Sequence, residues 1–153
     1  ANTMDDACGE CFDKVARMLD LGYPGGPKIE ALAKSGKASV DLPHPVKKNP
    51  KAFSFSGLKT AAKLAIEKKV SAPENIAASL QACIGSILVE KLKLAIDQST
   101  YQQLILCGGV FANQSIRQAI LNERQINWVI ELHLRHPHLI FGSCVHALVF
   151  YRH

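Results

Sequence analysis

The sequence predicts an α/β domain, and three observations carry that expectation. Gln103-Leu104-Ile105-Leu106-Cys107 is a short apolar strand that runs straight into Gly108-Gly109 and then a helix capped by Asn113. Ile76, Leu80, Ile84, Ile87, Leu88 and Leu92 recur at spacings of three and four, the stripe of a long amphipathic helix. Asp5 to Pro27 reads as a second amphipathic helix that stops in a turn of glycines and prolines. With 153 residues, 48% of them hydrophobic, the chain is long enough for one real core and fits a single domain.

Taken in order, Asp5, Asp6 and Glu10 read as the acidic first turns of a helix, where carboxylates face the positive end of the macrodipole. Phe12, Val15, Ala16 and Leu19 form its buried face, and Asp13 falls on another face with Lys14 and Arg17. The helix stops at Gly22, and Pro27 opens the next one, a short helix over Lys28 to Lys34 that ends at Gly36. Lys37 to Ala52, with Pro43, Pro45 and Pro50, reads as a loop or edge segment. Phe53-Ser54-Phe55-Ser56 alternates like a brief strand, and Ser56 is placed to cap a helix running to Lys69. Ser71-Ala72-Pro73-Glu74 marks the start of the longest helix, whose stripe is read as core, with Lys91 and Lys93 leaving it. Trp128-Val129-Ile130 looks like one more strand, and the histidine-rich and apolar text beyond it carries no clear site motif.

Two places carry possible chemistry. The pair Gly25-Gly26 lets a main chain approach a ligand closely, and a carboxylate at Asp13 beside such a clamp suits a ribose or another polyol. Gly108-Gly109 followed by the Asn113-capped helix is an arrangement that receives phosphate, because backbone N–H groups and the helix dipole both favour an anion there. The alternatives are an ordinary helix and loop at the first place and a tight strand-to-helix turn at the second. Neither a dinucleotide fingerprint nor a P-loop is present.

The net charge of +5 permits a polyanionic partner, but the basic residues are spread along the chain rather than gathered into a nucleic-acid footprint. No apolar run reaches membrane-spanning length and no signal peptide opens the sequence, so no membrane role and a cytoplasmic location are expected. The 5 cysteines, at 8, 11, 83, 107 and 144, suggest reduced thiols. Cys8-Gly-Glu-Cys11 is formally a C-x-x-C, and Cys144 lies near His133, His136, His138 and His146 in sequence. A zinc site could be assembled from these on paper, but the first pair sits in a helix with no second pair to match it, so buried thiols are expected instead. No nucleophile–histidine–acid set is legible, and His44 has no partner visible in the sequence.

Four stretches then resemble one family. DDACGECFDKVARMLDLGYPGGP, FSFSGLKTA (Phe53 to Ala61), ENIAASLQ (Glu74 to Gln81) and LILCGGVFAN (Leu104 to Asn113) follow one another as in the C-terminal portion of the TsaD family. These are the tRNA adenosine threonylcarbamoyltransferases, formerly labelled O-sialoglycoprotein endopeptidases or glycoproteases. The resemblance implies an actin/Hsp70-like (ASKHA) ATPase fold, of which this chain would be one incomplete lobe. It implies transfer of a threonylcarbamoyl group from threonylcarbamoyl-AMP to N6 of the adenosine beside the tRNA anticodon, with TsaB- and TsaE-like partners. By motif, Asp13, Gly26 and Asn113 resemble the family's nucleotide-contacting residues, with Gly108 and Gly109 as backbone contacts for ATP or threonylcarbamoyl-AMP.

The resemblance also sets expectations of what is missing. The family's H-x-x-x-H metal pair belongs to an N-terminal lobe this sequence does not contain, and Gly142 falls about where a closing motif would place a metal-binding aspartate. No ligand of the family's iron or zinc is recognisable, and no catalytic residue is assigned. Residues 1–128 are thus expected to be a TsaD-like C-terminal lobe and 129–153 a diverged tail. The expected function is that of a partial or inactive transferase that needs a separate N-terminal lobe. The alternative is a non-catalytic adenine-nucleotide-binding or interaction module that partners TsaB- or TsaD-like proteins.

Overall fold

The computed structural model describes residues 2–3, 5–44, 52–97, 103–106, 108–123, 129–131 and 148–151. It is helix-rich. Strand β1 (Asn2–Thr3) leads into α1 (Cys8–Met18) and α2 (Gly25–Ala33), followed by β2 (Ala52–Phe53), α3 (Ser56–Glu67) and the long α4 (Pro73–Asp97). Then come β3 (Gln103–Leu106), a 3-10 turn (Gly109–Ala112), α5 (Gln114–Leu121), β4 (Val129–Glu131) and β5 (Leu148–Tyr151).

Helix α4 is the centre of the packing, touching α2, α3 and α5, while α1 lies against α2 and α3. Its predicted stripe of Ile76, Leu80, Ile84, Ile87, Leu88 and Leu92 is buried throughout. Cys8, Cys11, Phe12, Val15 and Ala16 of α1 join the same cluster, so the two amphipathic faces read from the sequence meet in one core. Lys91 departs from expectation: it is buried, with its ammonium 6.0 Å from the centre of the Phe53 ring, and burial lowers its pKa. Lys93 reaches Glu123 beyond α5 at 2.7 Å.

The strands are short. β1 and β2 pair in parallel, Asn2 opposite Ala52 and Thr3 opposite Phe53. In the other sheet β3 is central, parallel to β4 and antiparallel to β5, with Ile105 opposite both Ile130 and Val149.

Three helix starts differ from the sequence reading, and for α2 and α3 the cap comes from a distant part of the chain. Helix α1 begins at Cys8, so Asp5 and Asp6 precede it and only Glu10 lies in its first turn. Asp5 instead serves α3: Oδ1 accepts the Phe55 N–H at 2.8 Å and the Ser56 N–H at 3.3 Å, and Oδ2 accepts the hydroxyls of Ser54 and Ser56 at 2.5 and 2.6 Å. Ser56 is therefore the first residue of α3 and not its cap, and the strand reading shortens to Ala52–Phe53. Burial pushes Asp5 up, but those hydrogen bonds outweigh it and hold the carboxyl below its ordinary value. Asp6 is also held low, by Lys14 at 2.6 Å and Lys59 at 2.5 Å. Helix α2 begins at Gly25 instead of Pro27, for a reason that belongs to the site below.

The segment after α2 follows α4 closely. Gly36 lies so near the start of α4 that a Cβ there would overlap the Glu74 carbonyl. Beyond it the Lys37 N–H donates to Asn75 Oδ1 (2.8 Å), the Val40 N–H to Ser79 Oγ (2.9 Å) and the Cys83 thiol to the Pro43 carbonyl (3.7 Å). His44 then meets Ser86 and Glu90. Asn75, Ser79, Cys83, Ser86 and Glu90 are spaced by three and four, so the segment lies along one face of α4. The lengths agree, since about 22 Å of helix matches about 23 Å of extended chain.

Candidate functional site

Helix α2 has no cap from its own N-cap residue, Pro24. The missing acceptor comes from α1, where Asp13 Oδ1 accepts the Gly25 N–H at 2.7 Å. That bond requires the start of α2 to lie on α1. A Cβ on Gly25 would stand 2.5 Å from the Asp13 Cα and 2.6 Å from the Phe12 carbonyl oxygen. Gly25, read from the sequence with Gly26 as a pair that admits a ligand, is thus the glycine that permits close approach between backbones. Gly26 is different: a Cβ there would meet nothing within 4 Å. No contact among the described residues accounts for a glycine at 26, although glycine is a poor helix former.

Residues i and i+4 share a helix face, so Gly26 lies in line with Glu30, and Glu30 with Lys34. Glu30 and Lys34 line a cleft of about 650 Å³ between α2, α4 and α5, with Gln81, Gln114, Ser115 and Gln118 on its other walls. The face that carries Gly26 therefore leads toward the cleft, whereas Asp13 meets the neighbouring face at Gly25, and none of Asp13, Gly26, Gly108, Gly109 and Asn113 is itself a lining residue.

The second predicted place borders that cleft. Gly108 sits at φ 100, a conformation that favours glycine, and the chain then makes the 3-10 turn, which packs against α1. Asn113 caps α5 as the sequence predicts, with Oδ1 accepting the Ile116 N–H at 3.0 Å. Its Nδ2 donates to Gln81 Oε1 at 2.7 Å, and both side chains are buried. Glu30 Oε1 accepts the Gln114 N–H at 2.7 Å. At the N-terminus of α5 the Gln114 and Ile116 N–H groups are thus taken by a carboxylate and an amide. Glycines 108 and 109 remain as its backbone neighbours.

The structure consequently links Asp13, Gly26 and Asn113 through α2: Asp13 holds its first residue, and Glu30, about 7.5 Å further along the axis, holds the residue after Asn113. Glu30 and Gln81 were missed. The spacing of Glu30 from Gly26 was a usable signal for the first, and only the tertiary fold shows the second.

The sequence matches the family model described as "TsaD: tRNA N6-adenosine threonylcarbamoyltransferase" over residues 1–136. The chain belongs to the TsaD family. A relative named tRNA N6-adenosine threonylcarbamoyltransferase from Nautilia profundicola is 43% identical over 150 residues, 97% of this chain and 45% of the relative. Proteins of the same name from Sulfurihydrogenibium sp. and Thermodesulfovibrio yellowstonii are 41% and 44% identical, over 90% and 82% of this chain and 40% and 41% of their own lengths. The chain thus spans under half the length of these curated relatives.

TsaD resemblance raises the question of a metal. Among the described residues no group of three or more His, Cys, Asp and Glu could hold one. Cys8 and Cys11 are fully buried free thiols in the core and belong to no such group, and burial pushes Cys8 far up and Cys11 up to about 12. Gly142, Cys144 and the histidines at 133, 136, 138 and 146 lie outside the described residues. No helix among the described residues is long and apolar enough to cross a membrane.

One sequence expectation needs correction. His44 does have partners, with Nε2 3.3 Å from Ser86 Oγ and Nδ1 3.3 Å from Glu90 Oε2. This serine–histidine–carboxylate row does not make a hydrolase. Ser86 lies in the interior of α4, where backbone N–H groups are committed to helix bonds and offer no oxyanion hole. Its place at the end of the segment along α4 gives it a fastening role.

Proposed function

We propose that this chain is the nucleotide-holding lobe, of ASKHA type, in a tRNA threonylcarbamoyltransferase. The observation that carries the reading is the start of α2: Asp13 fixes Gly25, and Gly26 opens the face that leads toward the cleft at Glu30. Asp13 engages one carboxylate oxygen with Gly25, and the other is suited to accept from ribose hydroxyls. A side chain at Gly26 would occupy the space a nucleotide needs. The Gly108–Gly109 turn supplies backbone beside it, and Asn113 holds that turn to α5 and α4.

In the reaction this reading assigns, N6 of a tRNA adenosine attacks the carbamoyl carbon of threonylcarbamoyl-AMP. A C–N bond forms, the C–O bond to the AMP phosphate breaks, and the N6 proton passes to solvent. In this reading the chain grips the AMP portion, which positions the carbamoyl carbon and holds the leaving group. TsaB- and TsaE-like proteins and an N-terminal lobe are its partners, and the cytoplasm its compartment. The residues that would hold a metal are not among those described, so no step is assigned to one.

Calorimetric titration with ATP and with a stable threonylcarbamoyl-adenylate analogue tests the reading. Binding that is lost in Asp13→Ala supports it. A folded protein that binds neither ligand would refute it. Binding without transfer, even with an N-terminal lobe supplied, would favour a nucleotide-dependent interaction module instead.

A further inference from the structure

The hydrogen bonds around Asn113 fix more than a helix cap. A backbone N–H can only donate, so the Ile116 N–H must meet the oxygen of the Asn113 amide. The amide NH2 of Asn113 is then the group that faces Gln81, and it must meet the oxygen of that side chain. Both amide orientations follow from one main-chain bond, with no choice left at Gln81. Its NH2 group is directed away from Asn113. Gln81 is 9% exposed and lines the cleft between α2, α4 and α5, and its NH2 has no partner among the described residues.

We infer that the Gln81 side-chain NH2 is a hydrogen-bond donor to the ligand of this cleft, and that it serves the acceptor edge of a nucleobase. The inference rests on the nucleotide reading above and goes beyond it. Among the described residues no fully buried side-chain NH2 is left without a partner, so the Gln81 NH2 is open to the cleft, where a ligand acceptor can take the place of water. The cleft walls favour a base over a phosphate. Their charged groups, Glu30 and Lys34, are of opposite sign, and the rest is amide, hydroxyl and methyl from Gln81, Gln114, Gln118, Asn122, Ser115, Ala33 and Ala119. Glu30 moreover places a carboxylate at the helix end where a phosphate would otherwise go. Gln81 is a binding residue in this account and Asn113 its positioning residue.

The substitution that isolates the donor is Gln81→Glu. A carboxylate oxygen still accepts from Asn113 Nδ2, but an ionised glutamate has no hydrogen to give. ATP titration at pH 8 should show affinity weakened about tenfold or more relative to the unaltered chain, the loss expected for one buried hydrogen bond. Melting should remain cooperative, and affinity should recover as pH is lowered and the carboxyl protonates, a response that a purely structural glutamine would not produce. Gln81→Glu binding ATP as tightly as the unaltered chain would overturn the inference and leave the nucleotide reading intact. No ATP binding by the unaltered, folded chain would overturn both. Should Gln81→Glu not fold, the side-chain NH2 resonances of Gln81 in the unaltered protein decide. They should shift on adding ATP, and resonances that stay in place would refute the donor role.

Discussion

Asp13 accepts the Gly25 N–H at 2.7 Å, so the carboxylate expected to meet a ligand also starts the helix that carries Gly26 and Glu30. This double use separates the two adjacent glycines into different roles. Gly25 allows α1 and α2 to touch, whereas Gly26 leaves open space. The same economy recurs at α5, where Glu30 and Asn113 close a helix end and also wall or support the cleft.

Gly25→Ala should destabilise the fold strongly, by about 2 kcal/mol or more, because its Cβ meets backbone and not a movable side chain. Urea unfolding measures the effect. Asp13→Ala should cost less, about 1 kcal/mol for a lost cap, so loss of nucleotide binding in that variant would not be explained by unfolding.

Asp5→Ala should cost about 1 kcal/mol, since it removes the acceptor from the N-terminus of α3. Asp5→Asn should recover part of that, as an amide oxygen can accept the same two N–H groups. Circular dichroism melts of the three proteins would rank them; equal stability would show that α3 does not depend on Asp5.

Acid should weaken the fold through Asp5 and Asp6. Both carboxyls lie below their ordinary 3.8 in the folded state, so the unfolded chain takes up protons first. Their contribution is fully present above that ordinary value and is lost as pH falls through the lower folded values. Stability measured against pH should thus drop on the acid side, and the drop should be smaller in Asp6→Asn, which loses the charge that Lys14 and Lys59 pair with.

The thiols should differ in reactivity. Cys8 and Cys11 are fully buried and should resist an alkylating reagent until the protein unfolds. Cys83 is only partly buried, and burial pushes it up to about 11, so it should react first among the three, though slowly. Peptide mapping after timed alkylation reads each site separately, and fast labelling of Cys8 or Cys11 would contradict the packing of α1.

Features fixed by nearby residues were legible in the sequence, and those fixed from a distance were not. The stripe of α4, its start at Pro73 and the Asn113 cap all depend on neighbours within a turn or two, and all are observed. The start of α2 is set by Asp13 from the preceding helix, the start of α3 by Asp5 from before α1, and the place of His44 by α4. Lys91 reads as a surface lysine because nothing local reveals the Phe53 ring beside it. The candidate site divides in the same way. Asp13, Gly26 and Asn113 stand in motifs and Glu30 follows Gly26 at helical spacing, whereas the place of Gln81 becomes visible only when α2, α4 and α5 line the cleft.

The most direct test of the account is ATP titration of Gly26→Leu beside the unaltered chain. A Cβ at position 26 meets nothing within 4 Å among the described residues and leucine is a better helix former than glycine, so the melting temperature should hold or rise slightly. If the α2 face holds the nucleotide, ATP affinity should fall by about tenfold or more, as leucine takes the ligand's place. A stable Gly26→Leu protein that binds ATP as tightly as the unaltered chain would contradict the assignment of this face.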